Sequence, residues 1–173
     1  MHPNAEMLTG FYRAFAAKDG DAMASAYASD ARFSDPVFTD LRGPEIGAMW
    51  KMLCARATDL RIEASGISAD DSEGRAHWEA WYTLAHRGSG KVSNAARVTK
   101  TGRKVHNVID ATFEFRDSKI AVHRDQFDFW RWSGMALGTS GKLLGWTPML
   151  RNAVRKEARQ GLDKFTAKTR AAL

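Results

Sequence analysis

Near residue 60 the hydrophobic period of the chain changes from helical to alternating, which limits the fold to short helices followed by long strands. Upstream of that point, Met7, Leu8, Phe11, Ala14 and Phe15 recur at the spacing of one buried helix face. A helix over 4–18 is expected, with Asn4 as N-cap and Glu6 in its first turn. A second, short helix from Ala22 to Ala28 follows the Asp19-Gly20-Asp21 break. Ala31 to Asp35 alternates and stops at Pro36, as a strand does. Gly43-Pro44 opens a third helix to about Ala57, with Ile46, Met49, Trp50 and Leu53 inward.

Downstream, Leu60, Ile62 and Ala64 mark one strand, and Trp78, Ala80, Tyr82 and Leu84 share a face of another. Val105–Phe115 and Ile120–Trp130 are expected to pair through a tight hairpin at Arg116-Asp117-Ser118-Lys119. The polar stretch 85–103 reads as an extended loop or extra hairpin. Together these elements predict an α+β fold, a strongly curved antiparallel sheet packed on N-terminal helices around one small-molecule pocket. After Trp132 the character changes, which suggests a domain over 1–132 and an extension over 133–173. Gly138-Thr139-Ser140-Gly141 reads as a flexible break, Leu143-Leu144-Gly145-Trp146 as an apolar patch, and Thr147-Pro148 as the cap of a final helix.

The net charge of +6 is not spread evenly. Residues 147–173 carry seven cations against Glu157 and Asp163, a net of +5, which leaves only +1 for the rest of the chain. The basicity therefore belongs to the final helix rather than to a phosphate-binding groove in the body. That helix, with its stripe of Leu150, Val154, Ala158, Leu162 and Phe165, is expected to pack over the sheet or across a dimer contact. Contact with nucleic acid or an anionic membrane is the second reading of its basic face. Cys54 stands alone, so neither an internal disulfide nor a cysteine zinc site is expected. The N-terminus lacks the pattern of a secretory signal and no apolar run is long enough to span a bilayer, so the expected location is cytoplasmic.

The candidate chemistry lies in carboxylates set among apolar neighbours. On a strand, His123, Asp125, Phe127 and Phe129 share one face, and the apolar members direct that face inward. An inward carboxylate must be paired, hydrogen-bonded or shifted in pKa, which are the conditions for acid–base work. The structural alternative is that Asp125 simply satisfies a buried group such as His123. Asp35, between Phe33 and Pro36, poses the same question. Asp110 and His106 fall on the polar face of their strand and are expected outside, which leaves Asn107 as the inward polar group. The histidines show no metal-ligand spacing, and no P-loop, GxSxG or GxGxxG motif occurs, so neither metal nor cofactor is expected. The tryptophans, Trp130 and Trp132 included, read as core or contact residues at the end of the last strand.

Three segments in this order are similar to the nuclear transport factor 2-like superfamily, in its SnoaL-like and ketosteroid-isomerase-like branch. They are Phe11-Tyr12-Arg13-Ala14-Phe15 with Asp21, Tyr27 to Pro36, and Phe113 to Asp128. The resemblance covers about residues 4–132 and implies a cone-shaped sheet against helices, a pocket inside the cone, and a homodimer. It places Asp35 at the position of the ketosteroid isomerase base, Phe11 beside Tyr12 at its tyrosine, and Asp110 in the context of its second carboxylate. Asp125 matches the catalytic carboxylate of limonene epoxide hydrolase. That enzyme's Arg-x-Asp pair does not occur over 76–86, and Phe33-Ser34-Asp35 replaces its Tyr-x-Asn. The resulting expectation is a proton-transfer enzyme of isomerase or hydratase type acting on a small, largely apolar substrate. Asp35, Asp125 and His123 would be catalytic, and Tyr12, Phe33, Trp50, Tyr82, Asn107 and Phe127 would bind substrate. The alternative is a non-catalytic ligand-binding or dimeric scaffold protein of the same fold.

Overall fold

In the computed structural model, which describes residues 1–56, 59–84 and 102–171, the first helix α1 (Pro3–Ala16) begins one turn earlier than its apolar stripe. His2, not Asn4, caps it: His2 Nδ1 accepts from the Asn4 amide at 3.2 Å, and Pro3 takes the first helical position. Asn4 instead sends its side-chain amide to Asp70 O at 2.8 Å, tying the helix start to the turn at Asp70. Helix α2 (Gly20–Ser25) is shorter than expected, because Tyr27 is already the first residue of β1 (Tyr27–Ser34) and turns its ring into the core. Helix α3 (Pro44–Arg56) buries Ile46, Met49 and Trp50 as its spacing predicts.

The remaining strands are β2 (Leu41–Arg42), β3 (Arg61–Ala69), β4 (Glu73–Thr83), β5 (Lys104–Arg116) and β6 (Lys119–Gln126). They form one sheet in the order β2-β1-β6-β5-β4-β3. The expectation of a purely antiparallel sheet is corrected at one ladder: β1 runs parallel to β6, while the other pairings are antiparallel. The reason is topological: α3 and four further strands separate β1 from β6, room enough for the crossover that a parallel pair needs. The β5–β6 hairpin turns through Asp117 and Ser118, both at positive φ, the backbone of a two-residue turn that follows the strand twist.

On β5, Val105, Ile109, Ala111 and Phe113 are buried while Asp110, Thr112 and Glu114 are exposed, as the register predicts. Asp110 pairs with His77 at 2.8 Å and His106 with Glu79 at 2.5 Å, all on the outer face. The inner face packs on α1, α2 and α3 around Phe11, Phe15, Phe33, Trp50, Trp78 and Phe113.

The last strand ends earlier than its sequence suggests. Asp128 Oδ1 accepts from the Arg131 amide at 3.0 Å and caps a helix, α4 (Phe129–Leu137), so Trp130 and Trp132 are helical rather than strand residues. Buried Phe129, Trp132, Ser133 and Ala136 recur at helical spacing, a signal that the Phe-Trp-Arg-Trp alternation obscured. The expected division after residue 132 falls within this helix. The expected flexible break is instead helix α5 (Thr139–Leu144), turned tightly back on α4. A Cβ on Gly141 would lie 1.8 Å from the Ser133 carbonyl oxygen, so this approach admits only glycine. Helix α6 (Pro148–Arg170) lays Val154 and Leu162, with Ala158 and Phe165, on the body. Residues 85–101, within the stretch read as a loop or extra hairpin, lie outside the described residues.

Candidate active site

The parallel ladder builds the site. Phe33 pairs with His123 in the β1–β6 register; β1 ends at Ser34, and Asp35, in the turn one residue beyond, feels the charge of Asp125 on β6. The two carboxyl groups thus lie on neighbouring segments, near enough to interact, beside the aromatic rings of the core. Antiparallel pairing brings Phe113 opposite His123 and Ala111 opposite Asp125. The rings of Phe113, Phe33 and Phe11 stand 4.2, 5.0 and 6.0 Å from the His123 ring.

Within this cage a polar chain runs through four elements. Trp50 Nε1 donates to Tyr27 Oη at 2.9 Å, and Tyr27 Oη lies 2.7 Å from His123 Nδ1. His123 Nε2 is 3.0 Å from Asp125 Oδ1, which also accepts from Trp78 Nε1 at 3.2 Å. Counting donors assigns the tautomer. With Trp50 already donating to the Tyr27 oxygen, the Tyr27 O–H is free to donate to Nδ1, and Nε2–H then donates to Asp125. In that arrangement the tryptophans, Tyr27 and His123 all have their protons used. His123 and Asp125 are only 1% and 5% exposed, so this satisfaction is required rather than incidental.

Two groups beside the chain keep unused hydrogen-bonding capacity among the described residues. The Tyr12 hydroxyl is buried and has no hydrogen-bond partner among the described residues. Burial, followed by the charge of Asp125, holds its pKa well above the ordinary tyrosine value. Asp35 is half-buried, and its Oδ1 accepts from the amides of Val37, at 2.6 Å, and Phe38. Its Oδ2 makes no hydrogen bond among the described residues. The Asp35 carboxyl is pushed up to about 7: burial raises it most, the Phe38 amide pulls it back, and the charge of Asp125 adds to the rise. The Arg155 guanidinium opposes the rise and donates from Nε to Pro36 O at 3.0 Å, so α6 reaches this end of the site.

The residues expected from sequence therefore divide into two groups. Tyr12, Phe33, Trp50, His123 and Asp125 lie together in the deep chain and its cage. Tyr82 and Phe127 lie nearer α4: Trp132 Nε1 donates to Tyr82 Oη at 2.9 Å, and the Phe127 and Trp132 rings are 6.3 Å apart. Burial, and to a lesser degree the nearby Asp35 charge, pushes Tyr82 up to about 12, so Tyr82 borders the Asp35 end. Asn107 is half-buried on the inner face of β5 opposite Ala80. Trp50 serves the chain as a donor rather than lining a void. Sequence reasoning missed Tyr27, Trp78, Trp132 and Arg155. The alternation of Tyr27 with Ala31 and Phe33 was a usable signal for the first; Arg155 sits far along the chain on a helix, and nothing local marks it. Among the described residues no group of three or more His, Cys, Asp or Glu is placed to hold a metal ion, and no helix is long and apolar enough to cross a membrane.

Comparison with known proteins fits this architecture. Residues 8–123, more than half of the chain, match the SnoaL-like domain, and the protein belongs to that family. Among solved structures it is similar to a candidate SnoaL-like polyketide cyclase from Jannaschia sp. CCS1, with a TM-score of 0.63 and 12% identity over 79% of this chain and 92% of that one. An epoxide hydrolase of the limonene-epoxide-hydrolase-like type from M. tuberculosis superposes with a TM-score of 0.56 and 17% identity, covering 82% of this chain and 96% of that one. An NTF2-like protein from Burkholderia pseudomallei K96243 gives 0.56 and 15%, over 74% and 92%. At these identities the likeness is one of fold. Comparison with curated proteins yields no match. The end of β6 after residue 123, together with α4, α5 and α6, lies outside the family match.

Proposed function

We propose that this protein binds a small, largely apolar molecule and moves a proton on it, with Asp35 as the group that gains and loses the proton. The observation that carries this reading is that Asp35 lies close enough to Asp125 to feel its charge, with one oxygen of Asp35 fixed by backbone amides and the other unbonded among the described residues. A carboxyl titrating at about 7 is populated in both forms at neutral pH, which suits a group that must take and return a proton. In the proposed step, Asp35 Oδ2 removes a proton from a carbon next to a substrate carbonyl and delivers it to another carbon of the same molecule. The charge that develops on the substrate oxygen in between meets the Tyr12 O–H, which is unpartnered among the described residues. Asp125 stays in place, held by His123 and Trp78, and its charge keeps the Asp35 proton affinity high. The ring-lined interior supplies the apolar surroundings, and the fold is shared with proteins described as cyclases and epoxide hydrolases.

The test is deuterium incorporation from D2O into a panel of small apolar ketones and diketones, read by NMR. Wild type should catalyse exchange on at least one member; Asp35→Asn should abolish it, and Tyr12→Phe should slow it by about 10²-fold. Exchange that is equal in wild type and Asp35→Asn would sink the assignment. A second reading, a non-catalytic binding protein, is favoured by the internal satisfaction of the His123–Asp125 chain. It requires that ligands bind to wild type and Asp35→Asn alike with no exchange in either.

A further inference from the structure

The large apolar side chains exposed among the described residues are concentrated in one place. Of Met1, Trp130, Leu143, Leu144, Trp146 and Met149, all but Met1 lie on the end-to-end run of α4, α5 and the start of α6. They are neighbours in space as well. Trp130 Nε1 donates to Lys142 O at 2.9 Å and Trp146 Nε1 to Leu143 O at 3.0 Å, and a Cβ on Gly145 would touch the Trp130 ring at 2.8 Å. Trp146, Leu143 and Met149 are each about two-thirds exposed, at 66%, 66% and 69%. A cluster of this kind on a soluble surface calls for a partner.

The charge around the cluster says which partner. Residues 129–156 contain no Asp or Glu, yet carry Arg131, Lys142, Arg151, Arg155 and Lys156. Along α6, the helical repeat from Met149 runs through Ala153, Lys156, Gln160, Lys164 and Lys168, and every one of these is exposed. Met149 and these three lysines therefore occupy one outward face about 28 Å long, on which Asp163, paired with Arg159 at 3.1 Å, is the one acid. The apolar stripe of the same helix is already packed on the body. A groove of about 780 Å³ beside the cluster adds Arg103 and Lys104 to Arg131 and Lys142, with Asp128 the one acid in its wall. A second copy of this chain would set these cations against their own kind. A polyanion such as nucleic acid would use the cations but has little use for three aliphatic side chains. An anionic lipid surface uses both, with tryptophan, leucine and methionine at the level of the headgroups and lysine above the phosphates.

We infer that the α4–α6 extension docks this protein on an anionic membrane surface, inserting Leu143, Leu144, Trp146 and Met149 and laying the Lys156–Lys164–Lys168 face of α6 along the headgroups. This docking is independent of the proposed proton transfer and uses residues outside the family match.

The experiment is co-sedimentation of the full chain with phosphatidylcholine vesicles, with and without phosphatidylglycerol. Two variants are compared with wild type: Leu143→Ser/Trp146→Ser/Met149→Ser, and Lys156→Glu/Lys164→Glu/Lys168→Glu. All these side chains are exposed, and circular dichroism verifies that the fold survives. Wild type should bind the anionic vesicles and bind neutral ones at least about tenfold more weakly, because each cation near such a surface contributes about fivefold. Both variants should lose at least about tenfold, and added salt should weaken wild-type binding. The inference is overturned by any of four results: no binding of wild type to anionic vesicles; unchanged binding of the apolar variant; duplex DNA bound as tightly as the vesicles; or a wild-type dimer in sedimentation velocity that the apolar variant dissociates.

Discussion

Replacing Asp35 by asparagine should make the protein more stable at alkaline pH and leave it unchanged in acid. The folded carboxyl titrates at about 7, against 3.8 for the ordinary group, chiefly because it is buried and in addition because it faces Asp125. A raised carboxyl means that the folded state holds the proton to higher pH than the unfolded chain does. Stability is therefore full below the ordinary value and declines as pH rises between the two. A displacement of about three pH units corresponds to a ceiling of about 4 kcal/mol above the upper end of that window. Asp35 is only half-buried, so water screens part of this, and about 2 kcal/mol is the realistic size. Asparagine keeps the shape and an oxygen acceptor for the Val37 and Phe38 amides, and it never ionises. Urea unfolding at a series of pH values, followed by tryptophan fluorescence, should show the two proteins equal near pH 3, the variant's lead growing through pH 5, and a lead of about 2 kcal/mol near pH 8. In thermal melts the same gap is about 4–8 °C for a chain of this size. A difference that stays constant with pH would refute the reasoning. So would a variant that falls behind as pH rises, because Arg155 would then be stabilising an ionised Asp35 in the fold.

Two further outcomes test the chain and the extension. Tyr27→Phe removes the acceptor of the Trp50 N–H and the donor to His123 Nδ1 at once; two buried groups lose partners, and urea unfolding should show a loss of about 2–4 kcal/mol with little change in m-value. Gly141→Ala puts a methyl group against the Ser133 backbone and should cost about 2 kcal/mol or more in the same assay, and an equal stability would mean that the α4–α5 contact can open without loss.

What the sequence made legible was whatever a period can encode. The inner face of β5 and the outward Asp110 and His106 follow from alternation alone, because a half-buried strand cannot turn one residue without turning all. The β5–β6 turn followed from its four polar residues. What stayed hidden was decided by partners distant in the chain. That Asp35 would lie beside Asp125 depends on a parallel ladder, and no local pattern distinguishes a parallel partner from an antiparallel one. Trp78 as a donor to Asp125, and Arg155 reaching Pro36 from α6, likewise come from tertiary placement. The end of β6 was hidden for a different reason. Phe127, Phe129 and Asp125 alternate well enough to extend a strand, and only the cap at Asp128 breaks the tie in favour of a helix.

The hydrogen bonds also rank the candidate residues, because a group can stabilise a transition state only with capacity it has not already used. His123 has both ring nitrogens engaged, Trp50 and Trp78 have given their only protons, and Tyr27 both donates and accepts. For any of these to bond to a substrate, a buried partner would have to be abandoned at a cost of about 1–3 kcal/mol. Tyr12 Oη and Asp35 Oδ2 face no such penalty. His123 then acts through Asp125 as a positioning residue, and the charge of Asp125 in turn raises Asp35. His123→Gln should therefore lower catalysis by letting Asp125 move, with the apparent pKa of the pH–rate profile shifting along with the rate. Asp35→Asn, by contrast, should remove the rate at every pH. If His123→Gln abolished exchange at all pH values as Asp35→Asn does, the imidazole itself would stand in the proton path, and His123 would be a catalytic rather than a positioning residue.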